Sequence, residues 1–262
     1  MTIDYTGKVV GITGAGGALG RSMAVEFAKC GAVVAVCDIA VEAGLETVRE
    51  IKETGGKAEF FKLDVSSKEN AVSVASDIEA VFGPVNIWIN NAGINVPKEE
   101  RKTIEGFSDI YWERITKIDL DGTYICSKAV IPSIERAGGG NIINIGSVIG
   151  LVAFRNQCAF AAAKAGVAHL TKVMALELAP KNIRVNCIAP GSILMEGTRK
   201  AFYSDKELAE EFMSHIPQKK PGEPIDIANG ALYLASDTLA GYVTGHTLTI
   251  DGGWTCGFAR SF

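Results

Sequence analysis

The residues best suited to bind a ligand form a glycine-rich turn near the start of the chain. Residues 13–20 read Thr-Gly-Ala-Gly-Gly-Ala-Leu-Gly and separate a β-branched run from a segment with helical periodicity. Glycines at such a place let the backbone turn sharply and approach a phosphate, which then rests on the N–H groups and the positive dipole end of the following helix. The pattern predicts a pyrophosphate site whose residues are Gly14, Gly16, Gly17, Ala18, Leu19 and Gly20.

Two acidic residues follow the next β-branched runs. Asp38 ends the second run, where a carboxylate accepts hydrogen bonds from the ribose hydroxyls of an adenosine and repels a 2′-phosphate. Since residues 15–18 contain no arginine or lysine, this pattern predicts NAD rather than NADP as the cofactor. Asp64 and Val65 follow the third run and are placed to contact the adenine. For both aspartates, capping of the following helix is the alternative.

The elements that must position these residues alternate between short apolar runs and helical segments. The first three strands are predicted at 8–13, 32–37 and 58–63, and the helices between and after them at 19–30, 41–54 and 69–82. Four further apolar runs lie at 86–89, 141–145, 183–188 and 246–250. Strands joined by helices imply an α/β protein with a parallel sheet. We therefore expect a single-domain Rossmann fold over residues 1–262, a doubly wound seven-stranded sheet with helices on both faces.

The least regular stretch runs over residues 191–221, between the sixth strand and the last helix. Ligands of a doubly wound sheet bind beyond the carboxyl ends of the strands, so a long segment at this place is a candidate substrate lid. A surface excursion without a functional role is the alternative.

Composition limits the class of partner. The net charge is −4 and no run of like charges occurs, which disfavours nucleic acid and anionic membranes as partners and favours a small molecule. Six cysteines lie scattered without the spacing of metal ligands, so we interpret them as reduced core residues and expect no metal. No stretch reaches the roughly 18 apolar residues of a membrane span, and the first eight residues lack the apolar region of a signal peptide. The cytoplasm is the expected compartment.

Five motifs together resemble one family. The turn at 13–20 is similar to a TGxxxGxG loop with Ala18 at the middle glycine, and Asn90-Asn91-Ala92-Gly93 follows the fourth strand. The run 141–147 ends in Ser147, and Pro190-Gly191 and Asp251-Gly252-Gly253 complete the series. From about Lys8 to Trp254 the chain resembles the short-chain dehydrogenase/reductase family, classical type. The resemblance implies an NAD-dependent enzyme that interconverts a secondary alcohol and a ketone, a homotetramer, and further cofactor contacts from Asn91, Ala92, Gly93, Lys164, Pro190, Gly191 and Ile193.

The same resemblance locates the chemistry. In the family a tyrosine phenol exchanges a proton with the substrate oxygen, and a nearby lysine lowers the pKa of that phenol. The matching lysine is Lys164, and the position of the tyrosine, one helical turn earlier, holds Phe160. Ser147 would orient the substrate oxygen. Asp119 stands where the family usually has asparagine and would complete a proton relay.

Phe160 removes the acid/base group, because a phenyl ring has no exchangeable proton. General acid–base catalysis is typically worth about 10²–10⁴-fold in rate, so the activity of this sequence should be severely reduced. Cofactor and substrate should still bind, since Phe and Tyr differ by one hydroxyl. Four interpretations stay open: a deliberate Tyr-to-Phe substitution, a natural pseudoenzyme that supports an active homologue in a hetero-oligomer, proton transfer through water to Lys164, and an NAD-sensing regulator.

Polar residues surround the predicted substrate position. Asn95, Arg155, Asn156 and Gln157 join Ser147 as candidate substrate-binding residues and suit a polar ligand such as a sugar, a polyol or a hydroxy acid. A structural role for them is the alternative, because loops are normally polar. The terminal residues 255–262 are rich in apolar groups, and we expect them to dock on a neighbouring subunit.

Overall fold

The computed structural model describes residues 3–195, 198–199, 203 and 205–257. Its seven strands form one parallel sheet in the order β3-β2-β1-β4-β5-β6-β7. The strands are β1 Val9–Thr13, β2 Val33–Asp38, β3 Lys57–Lys62, β4 Ile87–Asn90, β5 Gly140–Ile145, β6 Ile183–Pro190 and β7 Thr247–Ile250. The predicted doubly wound Rossmann sheet is confirmed, and each predicted strand end agrees within two residues.

Helices cover both faces of the sheet. Their bounds are α1 Ala18–Lys29, α2 Val41–Glu53, α3 Lys68–Phe82, α4 Asp109–Ile115, α5 Gly122–Arg136, α6 Cys158–Leu178, α7 Lys206–Ser214, α8 Pro224–Ala235 and α9 Asp237–Ala240. Alternate strand residues enter opposite cores, as the two-residue period of a strand requires. Val10 and Ile12 face the core under α1, α2 and α8, whereas Val9 faces the core under α3, α5 and α6.

The order of the strands defines where a ligand binds. After β1 the chain builds outward through β2 and β3, and it then crosses back to place β4 on the other side of β1. The two crossovers leave a crevice beyond the carboxyl ends of β1 and β4, the usual ligand site of such sheets. The glycine turn follows β1 and the Asn90-Asn91-Ala92-Gly93 segment follows β4, so both lie at this crevice.

The predicted lid segment contains regular structure. Ile193 forms a β-bridge with Gly222, which closes the segment at its base. Helix α7 lies inside it. Residues 196–197, 200–202 and 204 of the segment lie outside the described residues. None of the described helices is both long and apolar enough to cross a membrane.

The cysteines are free, but the prediction that they are core residues is wrong for one of them. Cys37, Cys126 and Cys187 are buried, and burial raises the pKa of Cys126 to about 12 and that of Cys187 to about 11. Cys30 and Cys158 are half-buried. Cys256 is exposed, because it lies in a turn beyond β7 and outside the sheet. Within the described ranges, no cluster of His, Cys, Asp or Glu could hold a metal.

Candidate active site

At Gly14 and Gly20 of the glycine turn, a side chain would clash with backbone atoms. Gly14 has a φ of +62°, and a Cβ there would lie 2.9 Å from the Cα of Ala92. A Cβ on Gly20 would lie 2.3 Å from the carbonyl oxygen of Gly14. The turn therefore depends on glycine at both places. Ala18, where the family has its middle glycine, is the exposed first residue of α1, and its methyl group is accommodated.

The amino end of α1 is open to a ligand. Gly17 is the N-cap residue and no side chain caps the helix. The N–H groups of Ala18 and Leu19 have no acceptor within α1, as at every helix start. A Cβ on Gly17 would meet only the Gly14 carbonyl oxygen, at 3.5 Å. Unpaired N–H groups, the helix dipole and free space suit an anion, so this end of α1 fits a pyrophosphate.

Asp38 joins the end of β2 to the glycine turn. Its Oδ2 accepts a hydrogen bond from the N–H of Gly16 at 2.8 Å, and its Oδ1 accepts one from the N–H of Ala40 at 2.8 Å. Ala40, rather than Asp38, is the N-cap residue of α2. A carboxylate has about four acceptor positions, so two remain for the hydroxyls of a ribose.

Asp64 orders a turn between β3 and α3. Its Oδ1 accepts hydrogen bonds from the N–H and the hydroxyl of Ser66 at 2.9 and 2.7 Å. Ser67, not Asp64, caps α3, with its hydroxyl accepting from the N–H of Asn70. The alternative that Asp64 is the cap of this helix is therefore wrong. Val65 is buried, and a Cβ on Gly122 of α5 would touch its side chain at 2.8 Å.

Asn91 and Thr13 lock the loop after β4 to the glycine turn. The Asn91 side-chain amide donates to the carbonyl oxygens of Thr13 and Gly14 at 2.9 and 3.0 Å. In return, the Thr13 hydroxyl accepts from the N–H groups of Asn91 and Ala92, both at 2.9 Å. The motif at residues 90–93 pointed to the asparagine, whereas the role of Thr13 was missed although this residue begins the glycine turn.

Asn90 anchors the same loop from below. Its side chain donates to Ser127 of α5 and to Asn144 of β5, both at 2.8 Å, and accepts from the indole of Trp88 at 2.8 Å. All these groups are buried. Sequence reasoning missed this network, because its members lie far apart in the chain.

Asp119 and Lys164 form a buried ion pair. The Nζ of Lys164 lies 3.1 Å from Oδ2 of Asp119, and the two side chains are 6% and 0% exposed. Lys164 also donates to the carbonyl oxygen of Ile145 at 3.1 Å, and Oδ1 of Asp119 accepts from the N–H of Ile94 at 2.8 Å. A Cβ on Gly93 would lie 2.8 Å from Oδ2 and 3.2 Å from Nζ, so a side chain at this position would clash with the pair.

A π-helical turn presents Asp119 to the lysine. Residues Thr116–Asp121 are wound as a π-helix between α4 and α5, and the helical course continues without a break. Such turns are rare and occur mostly at functional sites. Nothing in the sequence pattern predicted this turn.

Phe160 lies on the same face of α6 as Lys164. The Nζ of Lys164 is 5.5 Å from the centre of the Phe160 ring, within the range of a cation–π contact. The half-buried ring packs on a small cluster that includes Val96, Ile115 and Ala163. The structure therefore places an apolar ring where the resemblance expects a phenol.

Ser147 follows β5 and is half-buried. Its hydroxyl accepts a hydrogen bond from the N–H of Ile149 at 3.3 Å. Gly150 presses this turn onto α6, since a Cβ there would lie 2.6 Å from the carbonyl carbon of Lys164. Gly150 is thus a positioning residue that sequence reasoning missed.

The four polar candidates for substrate binding differ in their surroundings. The Asn95 amide donates to Oε1 of Gln157 at 2.8 Å, and Gln157 is 3% exposed, so this pair braces the loop against the start of α6. Asn156 has a φ of +62°, which asparagine tolerates. Arg155 is exposed. Asn95 and Gln157 therefore bond to each other, and contact of the four residues with a substrate stays a prediction.

The end of β6 packs on the segment after β7. Pro190 pairs with Ile250, and a Cβ on Gly191 would lie 2.7 Å from the Cα of Asp251. Ile193 is buried. Asp251 in turn accepts from the N–H groups of Gly253 and Thr255, and the N–H of Gly191 donates to the carbonyl oxygen of Ile250, so the two segments pack as one rim.

An aromatic cluster covers the carboxyl ends of β5, β6 and β7. Trp254 makes edge contacts with Phe154 at 5.7 Å and with Phe212 of α7 at 5.3 Å between ring centres. Tyr203 contacts Phe212 at 5.8 Å, and its hydroxyl lies 2.7 Å from that of Ser192. Three segments that leave neighbouring strands meet here, on the same edge of the sheet as Ser147.

Comparisons with known proteins agree with this geometry. Residues 14–255 match a family model described as enoyl-(acyl carrier protein) reductase. A 2,5-dichloro-2,5-cyclohexadiene-1,4-diol dehydrogenase of Sphingobium indicum is 40% identical, over 98% of this chain and 100% of the relative. A 3β-hydroxysteroid dehydrogenase of Eggerthella lenta is 40% identical, over 97% and 96%. The crystal structure of a levodione reductase superposes with a TM-score of 0.91 at 31% identity, over 97% and 100% of the two chains.

The Rossmann sheet, the glycine turn and these relatives define an oxidoreductase that acts on hydroxyl or keto groups. The chain belongs to the short-chain dehydrogenase/reductase family, whose members use NAD or NADP.

Proposed function

We propose that this chain binds NAD and that its site is built to interconvert a secondary alcohol and a ketone, with a turnover strongly slowed by Phe160. The observation that carries the proposal is the arrangement on α6, where the Phe160 ring occupies the acid/base position 5.5 Å from the Lys164 ammonium. Ser147 and Lys164 are both present, and Asp119 stands where the family usually has asparagine.

NAD is the proposed cofactor because of Asp38. Its carboxylate lies against the glycine turn through the bond to Gly16, at the place where a 2′-phosphate would be repelled. The open amino end of α1 supports a pyrophosphate beside it. A matching measurement is the Kd of NADH against that of NADPH, and we expect NADH to bind more tightly.

The proposed chemistry follows from the residues present. Bound NAD would supply the hydride acceptor or donor. The Ser147 hydroxyl would hold the substrate oxygen, Lys164 would bind the nicotinamide ribose, and Asp119 would complete a proton relay through Lys164. Phe160 neither gives nor takes a proton, so proton transfer to the substrate oxygen lacks its direct partner.

The proposed substrate is a cyclic alcohol or ketone with further polar groups. The aromatic cluster of Phe154, Phe212 and Trp254 supplies an apolar wall. The relatives named above act on a cyclohexadiene diol and on a hydroxysteroid, which supports a ring compound. Exposed Arg155 and Asn156 leave a place for a polar substituent.

The test compares the chain of the present sequence with its Phe160→Tyr variant. We expect the tyrosine form to gain about 10²–10⁴-fold in kcat on its substrate, because a phenol beside Lys164 restores general acid–base catalysis. NADH absorbance would be followed across cyclic diols, hydroxysteroids, polyols and hydroxy acids. Phe107→Tyr, in the same apolar cluster but off α6, is the matched control and should gain nothing.

A non-catalytic subunit is the second candidate function. Such a subunit would keep the cofactor turn and lack the acid/base group, and this chain has the glycine turn together with Phe160. If both forms bind NADH and neither turns over any substrate, the catalytic proposal fails. Copurification of an active homologue with the tagged chain would then establish the supporting role.

We also propose a homotetramer in the cytoplasm that is built from one domain per chain. Apolar side chains exposed on α6 support self-association, with Val173 38% and Leu176 80% exposed.

A further inference from the structure

We infer that Asp119 neutralises the charge of Lys164 and thereby raises the affinity of the site for the oxidised nicotinamide relative to the reduced one, compared with asparagine at this position. The inference rests on the proposed function, since it requires that NAD binds beside Lys164. The Asp119 carboxylate would thus set the relative affinity of the site for NAD⁺ and NADH.

The geometry places a full negative charge beside a full positive one. The Oδ2–Nζ distance is 3.1 Å, and neither side chain has appreciable contact with solvent. Within the described part of the chain, no other acidic oxygen lies within 4.0 Å of the Lys164 Nζ. Burial makes this interaction stronger than it would be in water, because little solvent screens it.

Among the described residues, the ammonium of Lys164 is the polar group that Oδ2 contacts. Oδ1 is satisfied by the N–H of Ile94, whereas Oδ2 has no hydrogen-bond donor among the described residues, its contact with Nζ being an ion pair without hydrogen-bond geometry. An acceptor left without a donor is costly unless a charge compensates it. The ammonium of Lys164 supplies that charge.

The charge balance differs from that of the family pattern. With asparagine at this position, the lysine would leave a net charge of one at the site, whereas Asp119 brings the pair to zero. A nicotinamide ring carries a positive charge only when oxidised. The uncompensated ammonium would therefore repel the oxidised cofactor selectively, and Asp119 removes that repulsion.

The consequence concerns the direction of use. NAD⁺ and NADH compete for the same site. A site that binds NAD⁺ more tightly relative to NADH is therefore less inhibited by NADH. The ion pair thus favours oxidation of an alcohol in a mixture of both nucleotides.

The test measures two dissociation constants by titration calorimetry, for NAD⁺ and for NADH. In Asp119→Asn we expect the ratio Kd(NAD⁺)/Kd(NADH) to rise, on the order of tenfold, because the variant removes one negative charge from a poorly solvated site. Lys164→Met should shift the ratio in the opposite direction, and the double variant should return towards the natural value. Damage to the fold would weaken both nucleotides together and leave the ratio unchanged.

Asp121→Asn is the matched control. Asp121 ends the same π-helical turn but is 52% exposed and pairs with Lys117 at the surface, so its ratio should stay that of the natural chain. If Asp119→Asn does not fold, Lys164→Met tests the inference alone. A fall in the ratio Kd(NAD⁺)/Kd(NADH) supports it, and a rise contradicts it. A natural chain that binds neither nucleotide overturns the proposed function and this inference together. If the variants bind both nucleotides about as tightly as the unsubstituted chain and the ratio is unchanged, this inference alone is overturned.

Discussion

Two glycines of the same turn have different surroundings, and substitution should separate their roles. A Cβ on Gly20 would lie 2.3 Å from a backbone oxygen, so Gly20→Ala should cost about 1–3 kcal/mol of stability. A Cβ on Gly17 would enter free space, so Gly17→Ala should cost less than about 1 kcal/mol, the scale of an N-cap change. Urea unfolding of both variants measures the difference.

The same pair tests the pyrophosphate position. If a phosphate rests at the amino end of α1, the methyl group of Gly17→Ala should approach it and weaken NADH binding. The loss in binding free energy should be at least as large as the loss in the free energy of unfolding. A stable Gly17→Ala variant with the natural affinity for NADH would place the phosphates elsewhere.

Residues whose partners are close in the chain were predictable from sequence. Gly14, Gly20 and Asp38 belong to one local unit in which spacing determines contact. The bond between Asn95 and Gln157 joins two loops whose approach depends on packing of the whole fold. The direct pairing of Asp119 with Lys164 was also beyond the sequence, because it depends on how the helix before α5 is wound.

At the scale of elements, the strands were predicted almost to the residue. Buried parallel strands are continuous apolar runs with turn residues at their ends, and this signal is strong. The lid segment lacks any such pattern, and its contents follow from contacts with distant parts of the chain. Trp254, which lies beyond β7, is one of these distant contacts.

Helix α7 should depend on Trp254 for its order. Each aromatic pair typically contributes about 0.5–1.5 kcal/mol beyond area burial, and Trp254 makes one with Phe154 and one with Phe212. Trp254→Ala should therefore speed amide hydrogen exchange over 206–214 while exchange in the strands stays slow. Trp112→Ala, which removes a 42% exposed indole from α4, is the control. Equal protection of α7 in both variants would show that the cluster does not hold the lid.

At the scale of the whole molecule, the homotetramer is the prediction that has still to be tested. Leu176 lies on α6 and is 80% exposed, and Val173, three residues earlier on the same helix face, is 38% exposed, so the two form an apolar strip on the surface of α6. We expect light scattering to give a mass of about four times the 27.7 kDa of the chain. Leu176→Glu should lower that mass, because a charge cannot be buried unpaired in an apolar interface.

The control for assembly is Leu45→Glu on α2, where leucine is 47% exposed on a different surface. A natural chain that runs as a monomer would contradict the tetramer. The expected docking of residues 255–262 lies mostly outside the described residues, since 258–262 are not described.

The π-helical turn at Thr116–Asp121 fixes the direction of Asp119 through the number of residues in the turn. Insertion or deletion of a residue should therefore disturb this direction more than substitution does. Each residue of an α-helix advances the chain by about 100° around the axis. Losing one residue between α4 and α5 would convert the wide turn to an ordinary one and rotate Asp119 off the side of Lys164. We therefore expect that an insertion or a deletion of one residue in this stretch abolishes the Asp119–Lys164 pair, even where each single side chain can be substituted.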